Sequence, residues 1–434
     1  MLRKLSVEII LISVSCQYNT ALFLQNKLPR GTSLSREGKC SYQWASVHMK
    51  ILEKIKLKNQ KAKPLSGYRL GFCLHVTKET SVLVMAAKQL GAEIALCSAN
   101  PLSVQEDIAA FLSTEGVKVF AWKGETLAEY KHCIRKVVGF KPDIITDDGA
   151  ELHIEAHRSS AKRIVGGTEE TTSGVKRLES LESKSMLSYP VIKVNDAKTK
   201  HMFDNKYGTG QSTIDGILRS TGIFLAGKHM VVCGYGWVGK GLSLRARGMG
   251  AIVTITEVDP VKALEAHMDG FDVKRLSNVA SIADIFITCT GQTHVIREEH
   301  IKKMKNGAML ANAGHFDVEI DVNYLYSQGT SPITVRPNVE SITISGKRIF
   351  LLSKGRVVNL IGAEGHPPEI MALSFANQLL SIIFICNNYT KMKNHTYDVP
   401  KEIDVNVAKY ALESMDIKID SMTQRQILYR TEWE

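Results

Sequence analysis

The chain has 434 residues, 44% hydrophobic and 23% charged, a balance that fits a globular protein with two or three substantial domains and excludes collagen, coiled coil and wholesale disorder. The longest apolar runs, such as residues 379–386, fall short of the roughly 20 residues of a membrane helix, so no membrane span is expected. The formal net charge of +11 sits almost wholly in residues 1–66, with twelve Lys and Arg against three Asp and Glu, so the rest is nearly neutral and no nucleic-acid partner is expected.

Residues 1–16 superficially resemble a signal peptide, but Glu8 interrupts the apolar run and no A-x-A-like cleavage site follows, so a basic N-terminal extension over residues 1–40 is expected instead. Eight scattered cysteines (Cys16, Cys40, Cys73, Cys97, Cys133, Cys233, Cys289, Cys386) form no C-x-x-C pair, which argues against zinc or a dithiol motif. They are expected to be reduced, buried thiols of a cytoplasmic protein, with no metal site.

From residue 70 onward the pattern alternates short β-rich runs with helical periodicity: a strand at 70–74, a helix at 80–90, a strand at 92–97, a helix at 104–113, and strands at 117–121 and 144–146. A second series starts near Met230, with strands at 230–233, 252–256, 285–288 and 309–312 separated by helix-length segments. The apolar stretch 369–385 predicts a helix that packs back on the first unit. Two α/β domains are therefore expected.

The clearest local motif lies at 230–239, where an apolar strand runs into Gly234, Gly236 and Gly239 at G-x-G-x-x-G spacing, with Trp237 and Val238 opening a helix. The first glycine permits the tight turn, the second lets backbone approach a pyrophosphate, and the third lets the helix pack closely. The next strand ends at Glu257, at the offset where a carboxylate binds the ribose 2′-OH, which favours NAD over NADP.

Polar clusters elsewhere go beyond the needs of a plain dehydrogenase: His75, Thr77, Glu79 and Thr80; Asp147 and Asp148; Glu169, Glu170, Thr171, Thr172 and Ser173; Asn195, Lys200, Asp204 and Asn205; and Asn359 with His366. Each has a structural reading alone: a core histidine, a turn, a helix cap, a surface ion pair at i,i+4. Taken with the glycine motif, and with residues 121–126 and 314–321, they resemble the S-adenosyl-L-homocysteine hydrolase family from about Ser41 to the C-terminus. That resemblance implies a Rossmann NAD-binding domain (211–364) inserted in a split α/β substrate-binding domain (41–210 plus 365–400), followed by a C-terminal segment (401–434).

The resemblance also implies an enzyme that hydrolyses a nucleoside thioether through a 3′-keto intermediate with bound NAD. Oxidising C3′ makes the C4′ proton acidic enough to remove, after which the C5′–S bond breaks by β-elimination. In that scheme Lys200 and Asp204 flank the 3′-OH, Asp148 and His75 act near C5′, and Glu170 and His315 serve the ribose. Thr77, Glu79, Thr80, Asn359 and His366 belong to the substrate site. Thr171, Thr172, Ser173, Asn205, Gly234, Gly236, Trp237, Val238, Gly239, Glu257, Thr290, Gly291 and Asn359 are implied cofactor contacts. The family further implies a homotetramer, and an inosyl rather than adenosyl substrate is the near alternative. Three departures stand out: Thr209 where many members carry cysteine, Ser173 for a third threonine, and a C-terminus without the lysine- and tyrosine-containing tail.

Overall fold

The computed structural model of the protein describes residues 32–161, 163–314 and 316–432; the signal-like stretch, Cys16 and His315 lie outside them. The first sheet is built from β1 (Arg69–Leu74), β2 (Glu93–Ser98), β3 (Lys118–Phe120), β4 (Ile144–Asp147), β5 (Gly166–Glu169) and β6 (Val191–Lys193). Its central strands are buried almost end to end, as a parallel sheet covered on both faces requires. The second is built from β7 (His229–Cys233), β8 (Ile252–Thr256), β9 (Asp272–Val273), β10 (Ile285–Thr288), β11 (Ala308–Asn312), β12 (Ile333–Arg336), β13 (Val339–Ile344) and β14 (Lys347–Leu352). The last strand, β15 (Thr396–Asp398), returns to the edge of the first sheet beside β6.

Strand order is β15-β6-β5-β4-β1-β2-β3 in the first sheet and β12-β13-β14-β11-β10-β7-β8-β9 in the second. All pairings are parallel except those of β13 with β12 and β14. In both sheets the order reverses between the first strand and the fourth, β1 against β4 and β7 against β10. A crevice opens beyond the carboxyl ends of the strands at such a reversal, and that is where ligands bind in doubly wound folds.

The helix Pro368–Asn388 packs on the first sheet as expected, burying Leu373, Phe375, Leu379, Ile382 and Ile385 in one core with β1 and β2. Taken to Lys391, it is long and apolar enough by length and composition to cross a membrane, but 67% of its most apolar window is buried inside the protein. The helices Thr32–His48, Lys50–Asn59 and Lys401–Ser414, with Met49 between the first two, add Ala45, Met49, Leu52, Ile55, Val407 and Ala411 to the same core. The boundary drawn at residue 40 thus falls inside a helix, where Gly38 sits against the Asp107 backbone with no room for a Cβ.

Two further differences have plain physical causes. Cys40 is exposed rather than buried, because it lies on the outer face of the first helix; Cys73, Cys97, Cys133, Cys233 and Cys386 are buried and Cys289 is partly so. Residues 201–208, across which Lys200 and Asp204 were read only as an i,i+4 pair, form a π-helix between the turn Lys198–Lys200 and the helix Thr209–Thr221. Such single-turn widenings recur at functional sites, because an extra residue per turn re-aims the side chains.

Candidate active site

The first sheet delivers three acid-base groups at neighbouring strand ends. His75 follows β1, Asp148 follows β4 and Glu170 follows β5, and the parallel register that pairs Cys73 with Asp147 and Asp147 with Glu169 brings them side by side. His75 Nε2 lies 3.6 Å from Asp148 Oδ2, while Nδ1 is 2.6 Å from Ser103 Oγ. The Ser103 hydroxyl donates to the Asn100 carbonyl at 2.9 Å, which leaves its oxygen as acceptor for an Nδ1–H and turns Nε2 toward Asp148.

Two buried carboxyls absent from the expected site hold this edge from below. Asp147 accepts the backbone N–H groups of Asp148 and His153 at 2.9 and 2.8 Å. Glu169 accepts those of Gly149, Ala150 and Thr171 at 2.9, 3.1 and 2.9 Å. Burial pushes Asp147 up to about 7 and raises Glu169 as well. Thr171 caps the helix Thr172–Ser183 through its bond from the Gly174 N–H, so the cap reading of this segment holds for Thr171, while Glu170 faces the cavity.

Lys200 stands at the entrance to the π-helix, with its ammonium 3.0 Å from Asp204 Oδ2, 3.0 Å from Asn205 Oδ1 and 3.7 Å from Glu170 Oε1. All three charged residues are buried, unlike a surface ion pair. Burial opposes the Lys200 charge, but Asp204 and Glu170 more than offset it, so its pKa is raised. Burial likewise opposes the Asp204 carboxylate, yet Lys200 and His366 hold it well below the usual range. Glu170 is pushed up to about 7 by burial, against the pull of Lys200. A carboxyl tuned to the operating pH can hold or release a proton at little cost.

His366 joins the Lys200–Asp204–Glu170 group, with Nδ1 on Asp204 Oδ1 and Nε2 within 3.2 Å of Thr209 Oγ1 and 3.0 Å of Asn359 Nδ2. Thr209 thus serves His366. Sequence reasoning missed Ser374, which donates to Asp204 Oδ2 at 3.1 Å, and Gln378, which donates to Glu170 Oε2. Both lie one turn apart on the apolar helix Pro368–Asn388, and polar residues at i,i+4 in such a run were the available signal.

Above His75, Thr77 caps the helix Lys78–Gln89 through its bond from the Thr80 N–H, and Thr80 spends its hydroxyl on the His75 carbonyl at 2.6 Å. Glu79 is buried and lines the cavity, with Lys78 Nζ 3.2 Å from its Oε1.

The second sheet faces the same crevice with its glycine turn. Gly234 has φ +109°, a Cβ on Gly239 would collide with the Gly234 carbonyl, and a Cβ on Gly236 would meet nothing, leaving an open cradle at the start of the helix Trp237–Gly248. Glu257 accepts the N–H groups of Tyr235 and Val258, both at 2.7 Å, at the end of β8. The turn, the helix start and this carboxylate fit NAD, whose pyrophosphate needs the open backbone and whose ribose needs the acceptor. Opposite, Thr290 and Gly291 are tied through their N–H groups to Glu319, at 2.8 and 2.9 Å.

One cavity of about 520 Å³ joins the two sheets. It is lined by His75, Thr77, Glu79, Thr80, Asp148, Glu170, Thr171, Thr172 and Ser173, by Lys200, Asp204, Asn205, Asn359 and His366, and by Gly236, Trp237, Val238, Thr290 and Gly291. Gly234, Gly239 and Glu257 shape the turn from outside the lining, and His315 lies outside the described residues. Lys176, Asn195, Cys289 and Glu319 line the cavity without having been expected to.

Comparison with known proteins bears on the same architecture. The family model described as S-adenosyl-L-homocysteine hydrolase matches residues 30–161, starting ahead of Ser41, and the one described as its NAD binding domain matches residues 205–365. The adenosylhomocysteinase of Sulfurisphaera tokodaii is 54% identical over 403 residues, covering 92% of this chain and 97% of that one. That of Aeropyrum pernix is 50% identical over 409 residues, covering 93% and 98%. The S-inosyl-L-homocysteine hydrolase of Methanocaldococcus jannaschii is 47% identical over 407 residues, again covering 93% and 98%. With a doubly wound cofactor unit and a second α/β unit sharing one cavity, and this identity sustained over nearly the whole length, the chain belongs to the S-adenosyl-L-homocysteine hydrolase family of NAD-dependent enzymes.

Proposed function

We propose that the protein catalyses reversible hydrolysis of S-adenosyl-L-homocysteine to adenosine and L-homocysteine, with the ribose held between Lys200, Asp204 and Glu170 on one side and Asp148 and His75 on the other. The observation that carries this reading is the convergence of those five groups, four of them buried, in the cavity shared with the glycine turn. Bound NAD supplies a reversible two-electron oxidation at C3′.

Within that frame the chain's own groups move the protons. Lys200 begins charged, so it accepts the 3′-hydroxyl proton only after passing its own to a neighbour, and Glu170, near 7 and 3.7 Å away, is the acceptor at hand. The amine then hands that proton on to Asp148 for delivery to the departing sulfur and, free again, takes the C4′ proton, which the 3′-ketone has made acidic. Asp148 and His75 protonate the departing sulfur and later deprotonate the water that adds to C5′. Return of the C4′ proton to C4′, of the electrons and hydrogen to C3′, and of the proton taken from water to the 3′-oxygen restores the alcohol, so the net change is addition of water across the C5′–S bond. Enclosure of the groups keeps bulk water from the ketone. Thr77 and Glu79 take the adenine, with Asn359 at the mouth. Gly234, Gly236, Gly239 and Glu257 take the cofactor, with Thr171, Thr172, Ser173 and Asn205 facing it from the substrate unit.

The division into a split substrate unit (41–210 plus 365–400) around a cofactor unit (211–364), a homotetramer and a cytoplasmic location belong to the same proposal and rest on the family resemblance. Light scattering of the purified protein tests the tetramer. Incubating purified protein separately with the adenosyl and inosyl thioethers, with chromatography of the products, tests the reaction. Adenosine and homocysteine are expected; hypoxanthine nucleoside from the inosyl substrate alone would transfer the assignment to the second reading, which relatives such as the Methanocaldococcus protein carry in name.

A further inference from the structure

Lys78 occupies the first position of the helix Lys78–Gln89, directly after its cap Thr77. A cation there is locally disfavoured, because the partial positive charge of a helix N-terminus attracts anions. The side chain is nonetheless drawn inward: only 12% exposed, it lies 3.2 Å from Glu79 Oε1 and 2.9 Å from Glu364 Oε2. Glu364 stands in the connector just before Gly365 and His366, and its other oxygen is 3.1 Å from Arg219 of the helix Thr209–Thr221. The charges around Glu79 are therefore Lys78 at contact and, beyond it, Glu364 and Arg219, with the Thr77 hydroxyl as the remaining polar neighbour.

Glu79 lines the cavity, and its Oε1 is buried with the Lys78 ammonium 3.2 Å away, so the carboxyl meets the cavity with that one cation against it. The protonation of this one group decides what it can select. An ionised carboxylate accepts from a 6-amino donor and repels a 6-oxo oxygen, whereas a protonated carboxyl can donate to the oxo group. Burial drives Glu79 toward the protonated form and Lys78 opposes it.

We propose that Lys78 is a specificity-determining residue that holds Glu79 as an acceptor and so makes the site select a base bearing an exocyclic amino donor. The inference rests on the base-site reading given above. It assigns Lys78 no part in the ribose chemistry, since its ammonium is spent on Glu79 and Glu364.

The test measures kcat/KM of the NAD-loaded enzyme for the adenosyl and inosyl thioethers in wild type, Lys78→Met, Lys78→Arg, Glu79→Gln and Lys78→Met with Glu79→Gln. A wild-type preference for adenosyl on the order of 10²-fold is expected, falling about tenfold in Lys78→Met and recovering in Lys78→Arg. Removing Lys78 in the Glu79→Gln background is expected to change the preference no further, because the amide has no charge to hold. Equal losses on both substrates in Lys78→Met, additive effects in the double variant, or a wild-type preference for inosyl would overturn the inference. Wild type that turns over neither thioether would overturn the functional reading itself, an outcome separate from any change in the ratio.

Discussion

At the scale of single residues, the site depends on putting charges where water cannot reach them. Lys200, Asp204 and Glu170 are all buried, and each fixes the ionisation of the others. In the proposed reaction these three serve the 3′ carbon and Asp148 and His75 serve C5′, which separates two halves of the chemistry. Lys200→Ala and Asp204→Asn are expected to abolish the absorbance of reduced cofactor in a single turnover, while Asp148→Asn retains that phase and loses overall turnover by about 10²–10⁴-fold. Equal loss of the reduction phase in all three variants would refute the division.

A second residue-scale expectation lies away from the chemistry. Glu125 is buried, accepts the Trp122 N–H at 3.0 Å, and is pushed up to about 7 by desolvation. Because the folded state binds this proton more tightly than the unfolded one, the contribution is most favourable below the ordinary glutamate pKa and is lost as pH rises toward 7. The loss amounts to at most about 3 kcal/mol. Glu125→Gln is therefore expected to gain in Tm over wild type between pH 5 and pH 8; a Tm difference independent of pH would sink the argument.

At the scale of elements, strand ends and turns carry the function. The glycine turn after β7 works because Gly239 lets the helix Trp237–Gly248 approach the Gly234 carbonyl and Gly236 leaves backbone bare. Gly239→Ala forces the turn apart and is expected to weaken NAD binding at least about tenfold in a fluorescence titration, with the first sheet's secondary structure retained. Unchanged affinity would mean that the turn does not set the cofactor site. The π-helix His201–Gly208 is the matching device on the substrate side. It brings Asp204 and Asn205, consecutive residues, both to 3.0 Å from one ammonium.

At the scale of the whole molecule, the two sheets meet with their carboxyl ends turned to one cavity, so a ligand of the second sheet also completes the wall of the first. Cofactor that binds only the folded form stabilises it by about 2.7 kcal/mol at a hundred times its dissociation constant. Adding NAD to stripped protein is expected to raise Tm and restore activity. NADP should do neither, because Glu257 would face its 2′-phosphate. An equal response to both cofactors would remove Glu257 from the ribose site.

The sequence by itself determined the two α/β series, the strand at 230–233 with its glycine turn, and the membership of His75, Asp148, Glu170, Lys200 and Asp204 in one site. These are legible because apolar periodicity, glycine spacing and long ordered motifs are local properties of the chain. Strand β5, with two glycines in four residues, gave no β signal of its own, and the hairpin strands β12 to β14 were likewise unread. What only the tertiary structure decided is which groups touch across long separations. His366 rests on Asp204, Gln378 on Glu170, Ser103 on His75, and Asp147 and Glu169 support the loop from beneath. Those contacts set tautomer and protonation, and they exist only once parallel register and helix packing bring distant segments into a space from which water is excluded.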